Sequence, residues 1–322
     1  MENTIFYGNG LNLLNKACLS WKDLLEQIAG EKIEDSTHYS LMYERLILLK
    51  QYSTNFNLIT ENGDHICTES GGSIIGTEIT EDIIKTDIAT KLKEYGSNKY
   101  YNELIDFPVK NFITTNYDNT LEETFKENEY SSKHSRDETK YSLLRHTCVS
   151  SKSDVKTIWQ MHGEINNPQT IMLGLDHYCG AIHNMYDYIN SHNKYNESHS
   201  IKEKMKIKLN PDIKSWIDLF FFSNVHIIGF SFDFSETDLW WLLTLRAKYL
   251  HEYFAEDHVD NNYNGNKIFY YGKIEEKPEE KSSFFKAFGI EFIPINIDEK
   301  AGDEMWPKYY DCLFEELSKR IK

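Results

Sequence analysis

The residues Thr115-Asn116-Tyr117-Asp118 follow a short apolar run (Phe112, Ile113) and precede a helical pattern, which is how a strand delivers polar groups to its C-terminal edge. An amide and a carboxylate two residues apart can hold a water, a sugar hydroxyl or a carboxamide without being consumed as nucleophiles. A second strand end carries His162, in Trp159-Gln160-Met161-His162-Gly163-Glu164. An imidazole there can accept a proton from water or a ribose hydroxyl, and the glycine beside it lets a ligand approach closely. Two more strand ends carry glycine. Gly8-Asn9-Gly10-Leu11-Asn12 opens a helix, a context in which backbone N–H groups hold a pyrophosphate. Gly229-Phe230-Ser231 offers backbone and hydroxyl contacts to a ribose, with Ser235 expected to cap the next helix and Asp238 shortly inside it. A lone G-x-G is equally consistent with a tight turn.

Other constellations say less. Of His177, Cys179 and His183, only the last two share a helical face, and without a fourth ligand no metal is expected. The chain has no Walker-type phosphate loop, HExxH or G-x-S-x-G. Trp240-Trp241 reads as packing.

The elements that must position these groups alternate along the chain. Strands are expected at Thr4 to Tyr7, Val109 to Thr115, Ser142 to Cys148, Lys156 to Met161, Thr170 to Leu173, Asn224 to Gly229, Lys267 to Tyr271 and Ile290 to Ile295. Helices are expected from about Leu11, after the Ser20 cap, and at Ser40 to Tyr52, Glu78 to Glu94, Asn119 to Lys126, Ser235 to Phe254, Glu279 to Ala287 and Asp303 to Lys319. Glu61 to Gly76 reads as a loop or weak hairpin, and the stretch through Glu138 as a polar loop. The pattern is a Rossmann-like α/β fold, a mostly parallel sheet with helices on both faces. A helical insertion is expected at about 176–222 within a single domain spanning 1–322.

Composition sets limits on partners. A net charge of −16 argues against a nucleic-acid or anionic-membrane surface, which needs clustered Lys and Arg. Five scattered cysteines without a C-x-x-C pair are the usage of a reducing cytoplasm. The N-terminus lacks the basic start and apolar stretch of a signal peptide, and Trp216 to Phe232 is too polar to span a bilayer.

Taken in chain order, GNGLN, TTNYD, MHG and GFS resemble the motifs of the sirtuin-like family. The resemblance implies NAD as ligand, with Gly8, Gly10 and Asn12 at the pyrophosphate, Thr115, Asn116 and Asp118 around the ribose and nicotinamide, Gly229 and Ser231 at the adenosine ribose, and His162 as catalytic base. Asn116 and His162 would carry the chemistry, Asn116 by positioning water. Deacylases of the family carry a four-cysteine zinc ribbon after this His, where the present chain has Cys179 alone. They also have Gln and an aliphatic residue where Thr115 and Tyr117 stand. These departures look like bacterial sirtuin-like effectors of anti-phage defence, which hydrolyse NAD to nicotinamide and ADP-ribose, often as homo-oligomers with a sensor or ATPase partner. The resemblance implies no metal. A nucleotide-sensing scaffold without turnover, and an ADP-ribosyl transferase or deacylase, are the alternatives.

Overall fold

From Thr4 onward every residue of the first strand, β1 (Asn3–Tyr7), is buried, as only a central strand covered on both faces allows. The computed structural model describes residues 1–15, 18–30, 32–33, 38–52, 58–59, 65–66, 81–93, 95–135, 139–191, 199–207, 212–255, 265–273, 279–297 and 305–321. After β1 come helices α1 (Trp21–Ala29) and α2 (Tyr39–Tyr52), the small hairpin β2 (Leu58–Ile59) and β3 (His65–Ile66), and helices α3 (Glu81–Leu92) and α4 (Lys99–Ile105). Strand β4 (Asn111–Thr114) leads to α5 (Thr120–Glu127), β5 (Ser131–His134), β6 (His146–Ser150) and β7 (Val155–Gln160). Helices α6 (Leu175–Ile189), α7 (Ile201–Lys206) and α8 (Trp216–Phe222) form the helical insertion between β7 and the next strand. The chain finishes with β8 (Asn224–Ile228), α9 (Thr237–Ala255), β9 (Ile268–Lys273), α10 (Glu279–Phe288), β10 (Ile290–Ile295) and α11 (Met305–Arg320).

The main sheet has the order β10-β9-β8-β1-β4-β7-β6-β5. Strands from β10 to β7 run parallel, and β6 and β5 are appended antiparallel at one edge. Moving outward from β1, the chain first builds β4 and β7 on one side and then returns to build β8, β9 and β10 on the other. That is the doubly wound order of dinucleotide-binding folds, and it places the topological switch point between β1 and β8. Tyr7 is in register with Thr114 and Ile228, and Thr114 with Gln160, so four strands end at one level and their motifs emerge together.

Period-two alternation separates the two cores. Phe6, Ile113, Trp159 and Ile227 face a layer that includes Phe220 of α8, Leu242 of α9 and Phe285 of α10. Ile5, Tyr7, Phe112 and Ile158 face Leu104 of α4, Phe125 of α5 and Leu313 of α11. A third core joins α1, α2 and α3 to Tyr117, Ile165, Ile171 and Leu173, and forms a cap at the C-terminal edge of the sheet.

Several expectations are corrected. The first helix is instead a short 3-10 segment, Asn9–Leu14, tied off by side-chain bonds from Asn12. Thr170 to Leu173 is not a strand: Thr170 closes a 3-10 turn, Pro168–Thr170, and 171–173 continue as irregular chain. The strand expected at Ser142 lies later, at β6. The polar loop contains β5, whose exposed edge position gives no apolar alternation. Helix α4 is too short to show a periodic signal. Of Glu61 to Gly76 only His65–Ile66 is described, paired with Leu58–Ile59, and the rest lies outside the described residues.

Candidate active site

The glycine turns after β1 and β8 pack directly on each other at the switch point. Gly8 N–H donates to the Ile228 carbonyl at 3.0 Å and Gly10 N–H to the Gly229 carbonyl at 2.8 Å. A side-chain carbon on Gly8 would sit 2.6 Å from the Gly229 oxygen, and one on Gly10 would sit 2.6 Å from the Tyr310 hydroxyl. These glycines serve close packing and their N–H groups are bonded to the turn after β8, while Gly10, expected at a pyrophosphate, also lines the outer of two cavities at this edge. Asn12, also expected at the pyrophosphate, is fully buried, donating to Asp118 Oδ2 at 2.8 Å and accepting from the Tyr101 hydroxyl at 2.6 Å. The other Asp118 oxygen accepts from Thr120 N–H. Asn12 and Asp118 thus lock the first turn to the end of β4.

Two cavities meet above this edge. The outer one, about 530 Å³, is lined by Gly10, Lys22, Thr115, Gly229, Ser231, Lys281 and an aromatic wall that includes Tyr270, Trp306 and Tyr310. Its volume is in the range of small-molecule sites. The inner chamber, about 60 Å³, is lined by Thr115, Tyr117, His162, Tyr178, Ser231, Asp233 and Glu236. Trp21, Tyr39, Thr115, Ser231 and Glu236 belong to both walls, so the chamber is the floor of the groove. Gly8, Asn12, Asn116 and Asp118 stand behind these surfaces.

Asn116 is 1% exposed, and neither its side-chain oxygen nor its nitrogen has a hydrogen-bond partner. An orphaned amide in a native interior calls for a reason. Asn116 adjoins Thr115, which lines both cavities.

His162 is held by a carboxylate from the opposite half of the sheet. Its Nε2 lies 2.9 Å from Asp238 Oδ2, and its Nδ1 lies 3.7 Å from Glu236 Oε2. Tyr178 meets the imidazole edge-on, with ring centroids 5.4 Å apart. Burial pulls the His162 pKa down, but the charge and hydrogen bond of Asp238 and the charge of Glu236 outweigh it, leaving a net rise. Glu236 is pushed up to about 7, first by burial, with His162 lowering it and Asp238 and Asp233 raising it. His162, Glu236 and Asp238 are a potential catalytic cluster. Their ligand atoms all lie within 4.8 Å of one another, a donor set that could also take a cation.

The cluster is built by a strained turn. Gly229 and Phe232 both have positive φ, 59° and 52°, the latter costly for a bulky residue. Ser235 does not cap α9 as expected. Its hydroxyl donates to Asp233, and the helix begins at Thr237, which aims Glu236 and Asp238 at His162. The sequence puts Asp238 in this helix but gives neither it nor Glu236 a role; the one available signal is a pair of acids two apart after a strand end.

His177 is occupied elsewhere. Its Nδ1 accepts from the N–H groups of Leu173 and Gly174, so Nε2 carries the proton donated to Glu81 at 2.7 Å. Buried Lys85 closes that network, its pKa lowered to about 8 chiefly by burial. Cys179 and His183 are exposed on α6.

No curated protein matches the chain. The model of the SIR2-like domain family matches residues 110–293, more than half of the chain and all of it from the middle motif through His162 to the Gly229 turn and the Glu236–Asp238 segment. The protein belongs to the SIR2-like domain family.

Proposed function

We propose that this protein is an NAD⁺ glycohydrolase that cleaves NAD⁺ to nicotinamide and ADP-ribose. The observation that carries the reading is the buried His162–Asp238 pair at the floor of a nucleotide-sized groove on the switch point. The dinucleotide lies in the outer groove, its phosphates near Gly10, Gly229, Lys22 and Lys281, and the ribose beside Ser231. Its nicotinamide end enters toward Thr115 and Asn116. Asn116, with both amide atoms unsatisfied, positions the attacking water or the carboxamide. Asp118, through Asn12, acts by holding this edge in place. His162 takes the proton of the water as it adds to the anomeric carbon, worth on the order of 10²- to 10⁴-fold in rate. Asp238 orients the ring. No step of this reaction calls for a metal.

The family resemblance supports the wider reading of one NAD-binding domain acting in the cytoplasm as an NAD-depleting effector of anti-phage defence. It works as a homo-oligomer with a sensor or ATPase partner. Nicotinamide release by the purified chain, alone and with its genomic-neighbour protein, tests the activity. Wild type is expected to release nicotinamide and free ADP-ribose, with Asn116→Ala and His162→Ala inactive. Intact NAD⁺ under both conditions overturns the reading.

A further inference from the structure

Glu236 stands out among the groups that the mechanism above leaves unused. It is the carboxylate lining both the inner chamber and the outer groove, at their junction. Its Oε2 is buried without a hydrogen-bond partner, 3.7 Å from Nδ1 of the proposed base. A buried carboxylate oxygen without a donor is costly unless something else satisfies it. The ion pairs of Glu236 and Asp238 both run to His162, so two acids face one imidazole. That excess of acidic groups, at the junction of the chamber and the groove, is complementary to a cation.

We propose that Glu236 is a catalytic carboxylate that stabilises the cationic ribose formed when the bond from the anomeric carbon to the pyridinium nitrogen breaks. The inference rests on the NAD⁺ cleavage reading and adds to it the group facing the positive charge. Both electrons of the broken bond leave on the pyridinium nitrogen, which neutralises the ring and releases nicotinamide. The positive charge then resides on the ribose, delocalised onto its ring oxygen, opposite Glu236 Oε2. The water oxygen bonds to the anomeric carbon and its proton passes to His162, from which it returns to solvent. The carboxylate is fixed in advance by the turn between β8 and α9, so it needs no reorganisation as the charge develops. Asp238, bonded to Nε2, is occupied in holding the imidazole, which leaves Glu236 as the carboxylate of the cluster that faces both cavities.

The test uses the full chain, with its activating partner if one is required, freed of metal by chelation. In Glu236→Gln, kcat is expected to fall on the order of 10²- to 10³-fold, as when a fixed electrostatic group is removed. KM and the affinity for ADP-ribose, measured by calorimetry, are expected to change little, since the charge acts in the transition state. Glu236→Asp is expected to recover part of kcat. If wild type cleaves NAD⁺, His162→Ala does not, and Glu236→Gln keeps the wild-type kcat, this inference fails while the glycohydrolase reading stands. If wild type leaves NAD⁺ intact, the underlying reading fails. If chelated wild type is inactive and added Zn²⁺ or Mg²⁺ restores it, with metal binding lost in Glu236→Gln, the carboxylate is holding a metal and the inference is overturned.

Discussion

His162 owes its electrostatics to residues more than seventy positions away. Because its folded-state pKa is raised, the interaction with Asp238 stabilises the fold fully below the unfolded value near 6.5 and is lost as pH rises through the folded pKa. Asp238→Asn is therefore expected to destabilise the protein more at pH 6 than at pH 9, read from urea denaturation. It should also lower the His162 pKa, read from the imidazole proton resonances. A structural role alone would leave that titration unmoved. Glu236 has the opposite cost. An unfolded carboxyl ionises near 4.5, whereas native Glu236 holds its proton to about 7 against burial and against Asp238 and Asp233, with His162 opposing them and Tyr178 also bearing on it. Native stability thus falls between those values as pH rises. Glu236→Gln should be more stable than wild type at pH 8, by on the order of 1–3 kcal/mol, since delaying an ionisation by one pH unit on folding costs about 1.4 kcal/mol. The difference should shrink toward pH 5, and thermal denaturation at both pH values checks it. Greater stability with lower activity is the signature of a site that stores unfavourable charge.

At the scale of elements, the glycine turns act as spacers between neighbouring strand ends. Gly10→Ala places a carbon 2.6 Å from the Tyr310 hydroxyl and 2.8 Å from the Gly229 oxygen, so the turns after β1 and β8 must part. A loss of about 1–3 kcal/mol, typical of overpacking, is expected in the denaturation free energy, with ADP-ribose affinity reduced as well. Asn12→Ala leaves Asp118 Oδ2 and the Tyr101 hydroxyl buried without their partner. That change should cost about 1–3 kcal/mol, measured in the same way. Most elements were legible in the chain because long helices and buried strands repeat apolar residues at 3.6 or 2 positions. Strand β5 was hidden by its exposed edge, α4 by its length, and Thr170 to Leu173 has the apolar letters of a strand but starts on a 3-10 turn without pairing into the sheet. Likewise, Gly8-Asn9-Gly10 was open to both a ligand turn and a tight turn, since letters alone do not reveal that the facing carbonyls of Ile228 and Gly229 accept from the Gly8 and Gly10 N–H groups.

For the molecule as a whole, the cap of α1 to α3 contributes to the walls of both cavities. Trp21 and Tyr39 come from this cap and line both cavities. The chamber of about 60 Å³ is less than half the roughly 150 Å³ that accommodates a benzene ring in a protein interior. On the proposed NAD⁺ cleavage reading, nicotinamide enters only if the cap or the Gly229–Glu236 turn moves outward. Hydrogen exchange is expected to change in α1 and α2 when NAD⁺ binds to His162→Ala, and unchanged exchange there would place the opening in the turn. Among the described residues no helix is long and apolar enough to cross a membrane.

By itself the sequence determined the alternation of strands and helices, the strand ends that carry Asn116, His162, Gly229 and Ser231, and hence the SIR2-like fold class. These are local properties, set by periodicity and by residues adjacent in the chain. Only the tertiary structure decided that β8 returns beside β1 and brings Glu236 and Asp238 against His162. It also decided that Asp118 faces Asn12. Partners separated by 76 or 106 residues are chosen by strand order and register, which no local spacing encodes.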